Sequence, residues 1–143
     1  MWQSFRTRKH PTLEIKCSHT YQETGKKKVQ RFEDLEVWRK AHQLVLAIYK
    51  VTNGFPVEER FGLISRMRRT AVSTPANISE GYKKRSLKDK ANFYNIAQGS
   101  LEELRYYLIL SGDPGYVKDN NELLGSIDEV GRMLHGLVVS VSR

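Results

Sequence analysis

The chain contains few residues able to hold a metal or a covalent cross-link. Its 143 residues include a single cysteine, Cys17, so no disulfide forms within the chain. The four histidines are His10, His19, His42 and His135, and none has a metal-ligand spacing to another. We therefore expect neither a metal site nor a cofactor.

Long apolar runs are also missing. No run reaches the roughly 18 residues that a membrane-spanning helix needs, and the N-terminus lacks the apolar segment of a signal peptide. We expect a cytoplasmic protein that does not contact membranes.

Sequence patterns typical of catalysis are absent as well. A di-iron helical bundle needs a glutamate three residues before a histidine, and neither His42 nor His135 has one. The chain has no glycine-rich phosphate loop and no Cys/His nucleophile arrangement. We expect no enzymatic activity.

The net charge of +8 is unevenly distributed. Residues 1–31 hold eight Lys/Arg against two Asp/Glu, and residues 58–90 hold nine against four. Residues 91–143 hold four Lys/Arg against seven Asp/Glu. The sequence after residue 31 is therefore polarised rather than uniformly basic.

Residues 1–31 show no helical or strand periodicity, which predicts a flexible basic arm. The alternative, an upstream extension without a role, stays open. From residue 32 to residue 143, apolar residues recur at three- and four-residue steps in four segments separated by NGFP, KKRS and SGDPGY. This pattern predicts an all-α domain, an antiparallel up-down four-helix bundle.

The inward-facing residues predicted for the four helices, in chain order, are Leu35, Trp38, Ala41 or His42, Val45, Ile48 and Thr52; Phe61, Ile64, Met67, Ala71, Ile78 and Tyr82; Phe93, Ile96, Ala97, Ser100, Leu101, Leu104 and Leu108; and Leu123, Ile127, Val130, Leu134, Leu137 and Val141. Pro56 is expected in the first turn of the second helix. Other apolar residues suggest a second buried face and self-association, although scattered surface apolar residues are the alternative. These residues are Val37, Leu44, Leu46, Tyr106, Tyr107 and Ile109.

Short side chains dominate the middle of the second helix and allow a neighbour to approach closely. They are Ala71, Ser73, Thr74, Ala76, Asn77, Ser79 and Gly81. Pro75 removes a backbone donor and frees the carbonyl of Ala71, to which the Thr74 hydroxyl is expected to donate. Asn77 and Glu80 are expected to form polar contacts that link helices or subunits, because a buried polar group needs a partner.

The segment RRTAVSTPANISEGY resembles the signature of a four-helix-bundle family, the proteins encoded in intervening sequences of bacterial 23S ribosomal RNA. The matching residues are Arg68, Arg69, Ala71, Ser73, Pro75, Asn77, Ile78, Glu80 and Gly81. FEDLEVWRKA and FYNIAQGSLEEL match in the expected order on either side. Two features depart from the pattern: Pro114 stands where the family usually has leucine, and residues 1–31 lie outside it.

The resemblance implies a cyclic homopentamer of four-helix protomers with a basic surface. The family includes the accessory variability determinant proteins of diversity-generating retroelements, which are similar in fold and bind nucleic acid and a reverse transcriptase. A homo-oligomer that binds RNA or DNA is therefore one expectation. A protein-docking accessory subunit, for example for such a reverse transcriptase, is the alternative.

Eight cations bracket the second helix and are the candidate phosphate-contacting residues: Arg60, Arg66, Arg68, Arg69, Lys83, Lys84, Arg85 and Lys88. Such cations release counterions from a nucleic acid and favour binding with weak sequence specificity. The alternative is structural, since Lys83 to Arg85 would complement a helix C-terminus and Glu80 would pair with Lys84.

No base-specific recognition motif occurs in the sequence. The tyrosines after residue 80 are candidates for stacking on bases, although aromatic residues at helical spacing also fit a core or an interface. They are Tyr82, Tyr94, Tyr106, Tyr107 and Tyr116.

Overall fold

The computed structural model describes residues 28–142, which contain four α-helices. The helices are α1 (Glu36–Thr52), α2 (Leu63–Lys83), α3 (Leu87–Gly112) and α4 (Asn121–Val141). Short 3-10 turns at Phe32–Asp34 and Val57–Glu59 precede α1 and α2. No strand occurs in residues 28–142, so the all-α prediction is confirmed there. Nearly all of the predicted arm lies outside the described residues, and its role stays a prediction.

The four helices surround one apolar core. α1 and α3 each pack against both α2 and α4. Most of the predicted stripes lie in this core, including Ile48, Met67, Leu104 and Leu134, whose side chains are fully buried. Burial of such side chains is the main favourable term in folding, at about 25 cal/mol per Å² of apolar surface.

The prediction that additional apolar residues form a second buried face for self-association is wrong at two residues of α1. Val37 and Leu44 are buried in the core of this chain. α1 contacts two helices, so its buried sector is wider than a single stripe. On α3, by contrast, Tyr106 and Ile109 remain exposed.

α2 begins later than the sequence predicts. Pro56 precedes the 3-10 turn at Val57–Glu59, and the helix starts only at Leu63. The carboxylate of Glu59 accepts a hydrogen bond from the Leu63 backbone N–H at 3.3 Å, which satisfies one free donor of the new helix end. Phe61 consequently lies outside the helix and is 88% exposed, so its predicted inward placement is wrong.

α3 buries most of the face that the sequence predicts, with one exception in its first turns. Tyr94, Ala97 and Leu101 are buried, whereas Ile96 is exposed. Adjacent helical residues are about 100° apart, so Ile96 faces away when Ala97 faces the core. The inward placement of Ile96 is wrong. Tyr94 is only 1% exposed and is not available to stack on a base.

The short side chains of α2 let it approach α3 closely. A Cβ atom at Gly81 would lie 2.6 Å from Cε1 of Tyr94 and 3.1 Å from Cβ of Phe93. Eight residues farther towards the α2 N-terminus, the hydroxyl oxygens of Ser73 and Ser100 are hydrogen-bonded at 2.8 Å. The predicted close approach is therefore found between two helices of the same chain.

Thr74 does not make its predicted bond to the Ala71 carbonyl. Its hydroxyl is buried and has no hydrogen-bond partner within residues 28–142. The helix continues through Pro75, whose missing N–H leaves the backbone one bond short at this point. In the part of α2 that packs closely on α3, one backbone hydrogen bond is therefore missing and one buried hydroxyl has no partner within residues 28–142.

We expect Gly81→Ala to lower the free energy of unfolding by about 1 to 3 kcal/mol, because the new methyl group overpacks against Tyr94. Gly125→Ala is the matched control, since a Cβ there meets no atom within 4 Å. That control should gain up to about 1 kcal/mol of helix stability. Urea denaturation of the full chain measures both. Equal or higher stability of Gly81→Ala would contradict the tight α2–α3 contact.

We expect Thr74→Val to keep or raise stability, by up to about 1 kcal/mol, because it removes a buried hydroxyl without a partner. Thr52→Val is the comparison. The Thr52 hydroxyl donates to the Ile48 carbonyl at 2.7 Å and accepts from Nε of Arg68 at 2.9 Å. Its loss should cost about 1 to 3 kcal/mol. Thermal unfolding of both variants tests the contrast, and a larger loss for Thr74→Val would refute it.

Candidate nucleic-acid interface

The connection between α2 and α3 concentrates exposed cations. Lys83 is the last residue of α2, and Lys84 follows it as the C-cap. Arg85 and Lys88 lie on either side of Ser86, the N-cap of α3, whose hydroxyl accepts from the Asp89 backbone N–H at 3.0 Å. The side chains of Lys83, Lys84, Arg85 and Lys88 are exposed, and we call these four residues the basic turn.

Helix capping on both sides fixes the backbone of the basic turn. Lys90, which the candidate set did not include, donates from Nζ to the carbonyl of Tyr82 at 2.6 Å and approaches that of Gly81 at 3.4 Å. It thereby satisfies carbonyls at the α2 C-terminus, where a positive charge is favoured. No sequence pattern distinguishes this lysine from its neighbours, because its role depends on how α3 packs on α2.

Three other candidates, Arg60, Arg66 and Arg69, lie towards the opposite end of α2 and are exposed. At 1.5 Å per residue, Arg66 is about 25 Å from Lys83 along the helix axis. The structure therefore divides the predicted set into two groups, of which only the basic turn is compact in sequence and in space.

Arg68 has a structural role. Its Nε donates to the Thr52 hydroxyl at 2.9 Å, and its NH2 donates to the Tyr49 carbonyl at 3.3 Å and to Oδ1 of Asn53 at 3.0 Å. The guanidinium also lies 4.7 Å from the centre of the Tyr49 ring. These contacts tie the C-terminal end of α1 to α2, so we remove Arg68 from the proposed phosphate-contacting set.

Of the signature residues, Ser73, Asn77 and Gly81 are explained by packing of α2. Nδ2 of Asn77 donates to the carbonyl of Ser73 at 2.8 Å and to its hydroxyl at 3.0 Å, which orients the Ser73–Ser100 pair. Glu80 is exposed and forms no ion pair with Lys84 or any other cation of residues 28–142. Within residues 28–142, Glu80 therefore does not link two helices, and a link between subunits through Glu80 stays a prediction.

Two tyrosine hydroxyls are bound within the chain. Tyr107 donates to Glu103 at 2.6 Å, and this hydrogen bond together with burial raises the Tyr107 pKa, while nearby Arg66 lowers it less strongly. Tyr116 donates to Glu59 at 3.1 Å, and its pKa is likewise raised by that bond. Both phenols are thus held as neutral donors. Tyr106, at 57% exposed, is the most accessible candidate for base stacking.

Within the part of the chain that the structure describes, no three His, Cys, Asp or Glu residues cluster in a way that would hold a metal ion. No helix there combines the length and the apolar character needed to cross a bilayer.

The profile of the family described as 23S rRNA-intervening sequence protein matches residues 33–136. The chain belongs to this family. The match includes all four helices except the last residues of α4, and it contains both the basic turn and the signature residues. The resemblance noted from the sequence is confirmed.

The fold of this family member also resembles a solved structure. A crystal structure of a protein with unknown function from the S23 ribosomal protein family of Bacteroides thetaiotaomicron is 23% identical to it, with a TM-score of 0.67. The alignment covers 72% of this chain and 95% of the other. At this identity the likeness establishes the fold alone. No curated relative matches the chain.

We expect Arg68→Ala to lower the free energy of unfolding by about 1.5 to 3 kcal/mol, because it removes charge-assisted hydrogen bonds at the end of α1. Arg69→Ala removes the same charge from an exposed neighbour and should change stability by less than about 0.5 kcal/mol. Guanidinium denaturation compares the two. Similar losses in both variants would show that the α1 contacts of Arg68 are not stabilising.

Proposed function

We propose that this family member is a non-catalytic nucleic-acid-binding protein that contacts mainly the phosphate backbone. The observation that carries the proposal is the basic turn, where four exposed cations lie within six residues. None of the four is in an ion pair with another residue of 28–142. Nζ of Lys84 lies 5.0 Å from the centre of the Phe93 ring, a contact that does not neutralise its charge. Cations without an opposite charge beside them are available to phosphates at little cost in reorganisation.

Charge segregation in the folded part supports the same proposal. The segment with nine Lys/Arg against four Asp/Glu ends at Lys90, and residues 91–143 carry more acidic than basic residues. A polyanion is therefore attracted first to the basic segment, which orients its approach. The family description names 23S rRNA, so structured RNA is the first ligand to test.

The proposal includes a cyclic assembly of five up-down protomers. Ile96, Tyr106, Ile109 and Leu110 are exposed on α3, on the side away from its buried residues. A helix with apolar residues on its core face and its outer face is suited to two packing contacts. Phe61 adds a further exposed aromatic side chain. A ring would repeat the basic turn around its axis and strengthen the field felt by a polyanion.

The exposed α3 face also favours a second candidate, a protein-docking subunit such as an accessory protein of a reverse transcriptase. Apolar surface of this kind marks protein contacts more often than nucleic-acid contacts. Affinity capture on the immobilised full chain distinguishes the two candidates. Docking predicts a partner that is retained after nuclease treatment and at high salt.

We expect the affinity for a structured RNA and for duplex DNA to fall steeply with salt. If the basic turn carries the contacts, changing Lys83, Lys84, Arg85 and Lys88 to glutamine reduces the slope of log Kd against log salt by about 3 to 4 for duplex DNA. Fluorescence anisotropy over a salt series measures the slope, and sedimentation velocity in parallel gives the size of the assembly.

Lys50→Gln combined with Lys118→Gln is the control, since both lysines are exposed but lie outside the candidate set. The control should have a nearly unchanged salt slope. Binding of the wild-type chain that is negligible at low salt, or equal slopes in the quadruple variant and the wild type, would contradict the proposal.

A further inference from the structure

An open groove of about 530 Å³ lies between the middle parts of α3 and α4. Ligand pockets in proteins commonly measure about 300 to 1,000 Å³. The floor of the groove is formed by Leu101, Ile127 and Gly131, of which the first two belong to the buried core. The groove therefore combines a small apolar floor with a volume in the range of ligand sites, and the sequence periodicity did not reveal it.

Polar side chains from both helices surround this floor. Nε of Arg105 pairs with Oδ1 of Asp128 at 3.3 Å and joins the two helices along one edge. The carboxylate of Glu102 also lines the groove. Gln98, Arg132 and His135 line it as well, and none of these three has an ion pair or a side-chain hydrogen bond with another residue of 28–142. These three side chains remain available to donate to or accept from a ligand.

Gly131 keeps the floor flat. Its backbone does not require glycine, because the one glycine with positive φ in residues 28–142 is Gly115. A Cβ at Gly131 would meet Leu101 at 3.6 Å, an ordinary contact, so helix packing does not exclude a side chain either. Glycine in a helix interior costs about 1 kcal/mol relative to alanine. An open floor is the property that this residue provides.

We propose that the α3–α4 groove binds the base of an unpaired nucleotide, a proposal that rests on the nucleic-acid-binding function above. A base has apolar faces and a polar edge, which match the aliphatic floor and the amide, guanidinium and imidazole groups around it. Bases in single-stranded regions stack on flat side chains, including arginine guanidinium planes, while their edges form hydrogen bonds. Arg132 lines the groove together with Leu101 and Gly131 and has the guanidinium group that such stacking needs.

The distance between the groove and the basic turn is one that a single nucleic-acid strand can span. Lys88 of the basic turn and Gln98 of the groove are on the same helix, about 15 Å apart along its axis. Four to five nucleotides span this distance at about 3.4 Å each, and fewer when the strand is extended. A strand whose phosphates contact the basic turn can therefore place a base in the groove of the same protomer.

Anisotropy titrations of the full-length protein test the proposal with a single-stranded 12-mer RNA, the same backbone without bases, and a duplex. The wild type should bind the base-bearing strand about tenfold more tightly than the abasic strand. Gly131→Leu fills the floor and should abolish this preference while changing the duplex Kd by less than about twofold. Gly125→Leu makes the same change on α4 outside the groove and should keep the preference.

Equal binding of the base-bearing and abasic strands by the wild type would overturn the proposal and leave the phosphate-binding function intact. A preference retained in Gly131→Leu would also overturn it, because the base would then be bound elsewhere. Absence of binding to all three ligands would instead refute nucleic-acid binding itself. The wild-type comparison does not depend on the stability of any variant.

Discussion

The close contact between α2 and α3 is the constraint on which the candidate interface depends. Gly81 brings the backbone of α2 against the ring of Tyr94, where a Cβ would lie at 2.6 Å. The next residues must then leave α2, pass through the basic turn and enter α3 within a few positions. Lys90 closes this arrangement by donating to the carbonyl of Tyr82 at 2.6 Å. The cations of the basic turn are exposed because the glycine contact and the helix caps determine the path of the chain.

A cluster of basic residues in a sequence does not identify which cations are available to a ligand. Arg68 and Lys90 lie in the same basic segment as the basic turn, yet both donate to backbone carbonyls near helix C-termini. Carbonyls in the last turn of a helix lack intrahelical partners, so a nearby cation is stabilised there. These two side chains contribute to the fold, whereas the four cations of the basic turn have no carboxylate partner within residues 28–142. The number of basic residues in a segment therefore overestimates the number that are available to contact phosphates.

The outer surfaces of α3 and α4 support different kinds of contact. Tyr106 and Ile109 are exposed near the end of α3 and suit packing against protein. The groove around Gly131 is smaller and has a polar rim, which suits a small planar group. The proposed self-association, phosphate contacts and base contact therefore involve separate parts of the surface. Their separation allows each contact to be altered independently.

The sequence alone determined the number and the approximate extent of the helices, because a 3.6-residue apolar period and capping residues such as Ser86 act locally. It also located the positive charge and the family signature. Only the tertiary structure decided that Tyr94 rather than Ile96 is buried in α3, where α2 begins, and which cations remain free. Those outcomes depend on distant partners: Tyr94 meets Gly81, Glu59 caps Leu63, and Arg68 binds the end of α1. Local periodicity carries no information about contacts between residues far apart in the chain, and the α3–α4 groove exists only where two such helices meet.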